Sequence, residues 1–341
     1  MINRVLVVGL GNIGKRHLRL AREMLPHAEI GVLRHRKSDV VPEFADYSFN
    51  TVFEALAFSP KVAVIANPAT FHISVALLFA KAGVHLLIEK PLSNNLNGIK
   101  SLIDICLKKG IVLATGYNLR FMSSLKNFKS IIDEGLIGDV WSVHAEAGQY
   151  LKYWRQDTDY RKSVSAQSIL GGGVLLELSH ELDYLRWIFG EIEWVQATLS
   201  TQSDLEIDVE DSMHLIMGFF SKSGRKQLIG NLNLDFIRHD PTRSCTAIGK
   251  KGTLRWDGIK GKVELFTSGN KEWQAVYNKL PGIDESYIDE WRNFISSVEM
   301  NSKPEVSGED GQKVVQIVES IRQAAKSCCR VNIPYSQSIK L

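Results

Sequence analysis

Val5-Leu6-Val7-Val8-Gly9-Leu10-Gly11-Asn12-Ile13-Gly14 opens the chain with an apolar run that passes straight into a G-x-G-x-x-G pattern. A continuous apolar run of this length predicts a strand buried on both faces of a parallel sheet. Beyond it, apolar positions Ile13, Leu18, Ala21 and Leu25 with basic residues between them predict a helix. Gly9 permits the tight turn, Gly11 lets a pyrophosphate approach the backbone, and Gly14 lets helix and strand pack closely. The N–H groups of Asn12, Ile13 and Gly14 at the helix start are then donors for phosphate oxygens. A glycine pattern alone is weak. Its place between a strand and a helix is the context that favours a dinucleotide site over a merely structural turn.

Working outward, Glu29–Leu33 is the second strand, and Arg34 ends it. An acidic residue is expected here if a ribose 2′-hydroxyl is bound. The sequence instead offers Arg34-His35-Arg36-Lys37, with Asp39 as the first acid. A cationic cluster suits a 2′-phosphate, so NADP is favoured and NAD remains possible through Asp39. Solvated loop charges are the plainer explanation. Val62–Ala66 is a buried strand closed by Asn67-Pro68. Thr70 is the candidate cap of a helix over Phe71–Lys81, and His72 either touches the cofactor or sits in the first turn. His85–Ile88 is the next strand, running into Glu89-Lys90-Pro91. Two charges at the end of an apolar strand suit a rim where a ligand meets them, or simply a polar strand end. The proline fixes the backbone direction after Lys90, with a cis bond as one option. Asn94 or Asn95 would cap a helix over Leu96–Lys109, and Ile111–Thr115 is a further strand leading to Asn118 and Arg120. This alternation predicts a doubly wound parallel sheet, whose ligands bind beyond the carboxyl ends of the strands. Asn67, Glu89, Lys90 and Asn118 all fall at such ends.

After residue 120 the pattern changes, so a first domain of 1–120 and a second of 121–341 are expected. Leu125–Glu134 reads as a helix and Asp139–Gly148 as an alternating strand. Tyr150–Gln167 follows neither period and is expected to be a long loop, a kind that is usually functional. Gly171-Gly172-Gly173 precedes a helix over Val174–Phe189 that carries Glu177, His180 and Asp183 at spacings of three, along one side. Alternating strands follow at Glu193–Ser200, Asp211–Ser221, Lys226–Asp235, Arg243–Gly249 and Gly252–Trp256. Turns such as Ser223-Gly224 and Asp257-Gly258 argue for an antiparallel sheet. Asp284–Met300 and Ser307–Ser327 read as helices. The second domain is thus α+β with an open sheet, one face of which must be solvated or covered by another subunit. A homo-oligomer, dimer or tetramer, is expected on that face.

The chain has 341 residues, enough for about two domains, with 44% apolar and 23% charged residues. A net charge of +3 makes no case for nucleic acid or a membrane surface. Cys106, Cys245, Cys328 and Cys329 form no C-x-x-C pair, so neither a disulfide framework nor a metal site is expected, and a reducing cytoplasm fits. No signal peptide is expected at the N-terminus, and no apolar run reaches the ~18 residues of a membrane helix.

Taken in order, Gly9–Gly14, Glu89-Lys90-Pro91, Gly116-Tyr117-Asn118-Leu119-Arg120-Phe121, and Gly171-Gly172-Gly173 with His180-Glu181-Leu182-Asp183 resemble the Gfo/Idh/MocA oxidoreductases. That family includes glucose–fructose oxidoreductase, inositol dehydrogenase and relatives acting on sugars, polyols and nucleotide-linked sugars. The resemblance spans nearly the whole chain. It implies an N-terminal Rossmann domain and a C-terminal domain with a large, mostly antiparallel sheet. It implies Lys90 as catalytic lysine and His180 as catalytic histidine. Many members carry an aspartate four residues before that histidine; here the acid is Glu177, three before, and Asp183 is a second candidate to orient the imidazole. Asn118 and Arg120 match positions lining the cofactor or substrate cleft. The wording around Trp154-Arg155, Asp159-Tyr160-Arg161 and Ser179–Tyr184 looks closest to members linked with bacterial surface-sugar biosynthesis.

The implied reaction is hydride transfer between a secondary alcohol or ketone of a sugar-type substrate and the nicotinamide. His180 would be general base, because histidine titrates near working pH, and Lys90 would hydrogen-bond the developing alkoxide. Trp154 stacks on a sugar or is a core aromatic. Arg161 holds a substrate anion or forms a surface ion pair. The alternatives are a regulatory NAD(P)-binding protein and an NAD-dependent glycosidase of the same fold.

Overall fold

The computed structural model describes residues 2–35, 40–154, 159–221, 226–269 and 271–335. The chain divides into two compact units, Met1–Tyr117 with Tyr287–Val315, and Asn118–Ser286 with Gln316–Leu341.

The first unit is built on a parallel sheet of β1 (Arg4–Val8), β2 (Glu29–Leu33), β3 (Tyr47–Phe49), β4 (Val62–Ile65), β5 (His85–Glu89) and β6 (Leu113–Gly116), in the order β3-β2-β1-β4-β5-β6. This is the doubly wound order, with its switch point between β1 and β4. Alternate residues of each strand feed two separate cores. Leu6, Val8, Ala63, Ile65, Leu86 and Ile88 pack under α3 (His72–Lys81) and α4 (Ile99–Lys109), while α2 (Val52–Ala57) adds Ala55. Val5, Val7, Ile30, Val32, Val62 and Val64 pack under α1 (Asn12–Met24) and under Trp291, Phe294 and Val298. Burial on both faces is what makes the strands continuous apolar runs rather than alternating ones.

Those last three residues belong to α8 (Glu285–Met300), which the change of pattern after residue 120 places in the second domain with everything beyond it. In the structure the chain returns, and Tyr287–Val315 lies in the first unit. The physical reason is the uncovered second face: α1 alone does not span it, and the stripe Tyr287, Trp291, Phe294, Val298 has the helical spacing to complete it. The β6 backbone is also tied to this return, since Thr115 donates its N–H to the Val306 carbonyl at 3.0 Å.

Two capping expectations are corrected. Thr70 sits in a 3₁₀ turn, Ala69–Phe71, before α3, and its hydroxyl is buried without a hydrogen-bond partner among the described residues. α4 begins at Ile99, not Leu96, because Gly98 just before it has φ +76°, and Asn95 instead accepts the Asn97 N–H at 2.8 Å.

The second unit carries a nine-stranded sheet formed by β7 (Val140–Gly148), β8 (Ile192–Ser200), β9 (Ser212–Phe219), β10 (Ile229–Asp235), β11 (Thr242–Gly249), β12 (Gly252–Asp257), β13 (Lys262–Thr267), β14 (Gln274–Asn278) and β15 (Val331–Asn332). The order is β14-β13-β12-β11-β7-β10-β9-β8-β15, antiparallel except that β10 pairs parallel with β7. One face is apolar, with Val143, Ala145, Ala147, Leu215, Leu232, Cys245, Leu254 and Trp256 buried; α5 (Ser123–Asp133) lies against its β12–β14 end and α7 (His180–Phe189) against β7. The opposite face shows Ser142, His144, Asn231, Asn233, His214 and Thr246 in neighbouring rows. The Ser223-Gly224 turn lies outside the described residues. The expected single helix over Val174–Phe189 is two: α6 (Val174–Glu177) ends at Leu178, whose φ −102° and ψ 27° leave the helical region, and α7 restarts at His180. α9 (Gly308–Ser327) closes the chain before β15.

Candidate functional site

The phosphate loop has the geometry its sequence requires. Gly9 has φ +91°, and a Cβ there would lie 2.8 Å from the Ala66 carbonyl oxygen and the Asn67 nitrogen. The carboxyl ends of β1 and β4 therefore touch backbone to backbone, at the sheet's switch point. A Cβ on Gly14 would lie 2.1 Å from the Gly9 oxygen, so α1 packs directly on the turn. Gly11 faces open space and caps α1 without any side-chain bond, leaving the N–H groups of Asn12 and Ile13 directed outward from a helix start that carries no acid in its first turn. Open backbone donors at a positive helix end suit a pyrophosphate. Asn67 adds a buried side-chain oxygen with no partner among the described residues. These features fit a bound dinucleotide.

At the end of β2, Arg34 donates to the Ser48 hydroxyl at 2.9 and 3.1 Å and to the Val40 carbonyl, and His35 is exposed. Arg36 lies outside the described residues.

At the ends of β4 and β5 the loops are joined by His72, which is buried. Its Nε2 is 2.7 Å from the Asn67 carbonyl and its Nδ1 is 3.0 Å from the Pro91 carbonyl. Burial pushes its imidazole below the ordinary range, against the pull of those carbonyls. Pro68 precedes the 3₁₀ turn on the same loop, and the Lys90–Pro91 bond is cis. Glu89 is buried: its Oε2 accepts the Lys90 N–H at 3.0 Å and its Oε1 lies 2.8 Å from His17 Nε2. Burial raises its carboxyl, but the His17 bond and the Lys90 charge outweigh that and hold it below the usual carboxylate range. Trp291 completes the row by donating to His17 Nδ1 at 3.0 Å. Neither His17 nor Trp291 is evident from motifs. The one signal is a histidine beside Leu18, on the face of α1 that also buries Gly14 and Ala21.

In the second unit Asn118 donates to the Ser286 hydroxyl at 2.8 Å. Arg120 forms a buried two-pronged pair with Asp183, at 2.8 and 2.6 Å, so both Asp183 oxygens are engaged by a guanidinium. Glu177 ends α6 and accepts from the Ser165 hydroxyl at 3.0 Å, while His180, largely buried, opens α7. Because the helix breaks between them, the three-residue spacing does not set Glu177 and His180 along one helical side, as a single helix would. Trp154 packs edge-on against Phe236 and donates to the Gln149 carbonyl at 3.1 Å. Arg161 is half exposed and paired with Asp159 and Glu206, the arrangement of a surface ion pair. Asp159 is held below its usual range by that guanidinium. Arg155 lies outside the described residues. Among the described residues no three or more of His, Cys, Asp and Glu are grouped to hold a metal ion, and no helix is long and apolar enough to cross a membrane.

Comparison with known proteins adds to this geometry. Residues 3–117 match the profile of an oxidoreductase family with an NAD-binding Rossmann fold, GFO/IDH/MocA, and residues 125–255 match the profile of the C-terminal domain of the same family. Myo-inositol 2-dehydrogenase of Thermotoga maritima is 28% identical over 322 residues, covering 91% of this chain and 92% of the relative. The NADP-named scyllo-inositol 2-dehydrogenase of Bacillus subtilis is 22% identical over 323 residues, covering 86% of each chain. A solved structure of levoglucosan dehydrogenase in complex with NADH superposes with a TM-score of 0.85 at 22% identity, covering 98% of this chain and 99% of that one.

Proposed function

The chain belongs to the Gfo/Idh/MocA oxidoreductases, and from that premise we propose that it moves a hydride between a nicotinamide and a secondary alcohol or ketone of a sugar, polyol or nucleotide-linked sugar. The observation that carries the reading is the phosphate loop at the β1/β4 switch point, where Gly9 and Gly14 permit close backbone contacts and Gly11 opens onto free space. The donors of Asn12, Ile13 and Gly14 would hold the pyrophosphate, and Asn67, Pro68, His72 and Asn118 would border the cofactor. A nicotinamide held there would take up or give the hydride. The remaining work falls to the chain's own side chains.

Oxidising an alcohol requires the hydroxyl proton to leave as the hydride does. His180 would accept that proton at an imidazole nitrogen, and Lys90 would donate a hydrogen bond to the oxygen as it gains charge. Glu89 holds the Lys90 backbone N–H, which supports the lysine as the anchored donor. For Asp183 the pairing with Arg120 favours a structural role, in which each neutralises the other inside the fold. Glu177, three residues before His180, is the remaining candidate to orient the imidazole. Trp154 is proposed at the substrate loop, with Arg161 as a candidate for an anionic substrate group that would have to displace Asp159 and Glu206.

NADP is the favoured cofactor on the strength of Arg34, with its guanidinium beside the Ser48 hydroxyl, and NAD is the alternative. Arg34→Asp should weaken NADP binding about 10–100-fold while changing NAD binding little. An equal loss for both cofactors would remove the assignment. We place the enzyme in the cytoplasm and propose that it assembles as a dimer or tetramer through the polar outer face of the nine-stranded sheet.

A further inference from the structure

The first unit contains a buried hydrogen-bonded row that extends the Glu89–Lys90 contact to two residues the hydride-transfer reading does not use, His17 and Trp291. Trp291 Nε1 can only donate, so His17 Nδ1 must accept, and the ring hydrogen lies on Nε2, pointing at Glu89. Glu89 Oε1 takes that hydrogen, and Oε2 takes the backbone N–H of Lys90. The tryptophan, histidine and glutamate come from three separate elements, α8, α1 and β5, and end on one peptide group. The surroundings leave little freedom. The Tyr287 ring stands edge-on to His17 at 6.0 Å. On the β6 side, a Cβ at Gly116 would meet the Glu89 Cα and Oε2 at 3.2 Å. Glu290, one residue before Trp291, is also buried, and neither of its carboxyl oxygens has a hydrogen-bond partner among the described residues. Burial and the charge of Glu89 push its carboxyl well above the usual carboxylate range.

We propose that His17 is a positioning residue for the hydride-transfer reaction: by linking Trp291 to Glu89 it fixes the carboxylate that orients Lys90. A buried carboxylate with one partner removed must turn, admit water or take a proton, and each of these changes what the Lys90 N–H meets. The inference rests on the reading of Lys90 as the donor to the reacting oxygen.

The test compares the full-length wild type with His17→Leu, His17→Gln and Trp291→Phe. The Gln amide can accept from Trp291 and donate to Glu89, whereas Leu can do neither. The readout is the rate of reductive methylation of Lys90 by formaldehyde and borohydride, measured by peptide mass spectrometry relative to the exposed Lys100. The expected result is a change of about threefold or more at Lys90 in His17→Leu, a smaller change in the same direction in Trp291→Phe, and recovery in His17→Gln. If His17→Leu does not fold, Trp291→Phe decides alone. An unchanged Lys90 rate in the folded variants overturns the proposal. Turnover of Lys90→Met on a sugar or polyol substrate separates the two claims. Full turnover there rejects Lys90 as donor and leaves the labelling result standing; lost turnover with unchanged labelling rejects the role of His17.

Discussion

Two buried acids in this chain meet opposite fates, and partners decide which. Glu89 has His17 and the Lys90 N–H and remains a carboxylate. Glu290 has no such partner among the described residues, so burial and the Glu89 charge push its carboxyl well above the usual range. The folded chain therefore keeps the Glu290 proton at pH values where the unfolded chain has released it, and stability falls as pH rises above the ordinary glutamate range. Glu290→Met should raise the unfolding free energy by about 1–3 kcal/mol at about pH 8 and by less near about pH 5, read by denaturant titration at both. An equal effect at the two pH values would mean the carboxyl titrates normally. Arg120 and Asp183 give the converse case: Asp183→Ala should destabilise by about 3–5 kcal/mol, because it removes the carboxylate that a buried guanidinium engages at two points. Neither pairing is legible from spacing, since Arg120 and Asp183 are 63 residues apart and His17 and Trp291 are 274 apart.

At the scale of elements, the phosphate loop separates binding from folding. Gly11→Ala adds a methyl into open space and should leave the thermal midpoint nearly unchanged while weakening NADH or NADPH binding, by fluorescence titration, about tenfold or more. Gly14→Ala places its methyl against the Gly9 carbonyl and should lower both stability and binding. The strands β1, β2, β4, β5 and β6 were legible because burial on both faces writes them as unbroken apolar runs. β3 and α2 were not, because three and six residues are too few to show a period. The α6–α7 break was hidden for a different reason. The apolar pattern continues through Leu178 and Leu182, and nothing local marks a backbone departure at Leu178.

For the whole molecule, the kinds of sheet were readable and the path of the chain was not. A parallel doubly wound sheet and a largely antiparallel second sheet follow from local patterns, whereas the strand orders do not. The return of Tyr287–Val315 to the first unit depends on which surface lacks a cover, and no local window contains that fact. The outer face of the nine-stranded sheet carries His144, His214, Asn231 and Asn233 with Ile216 half exposed among them. If that face joins subunits, Ile216→Lys should shift the sedimentation behaviour toward monomer, whereas an unchanged species would place the interface elsewhere. Hydride transfer assisted by Lys90 is tested most directly by following nicotinamide absorbance while sugars, inositols and nucleotide-linked sugars are offered with NAD and NADP to the wild type and to Lys90→Met. The wild type should turn over at least one secondary alcohol, with a loss of about 100-fold or more in Lys90→Met at intact cofactor affinity. Cofactor binding without turnover of any such alcohol, or equal turnover by the variant, would contradict it.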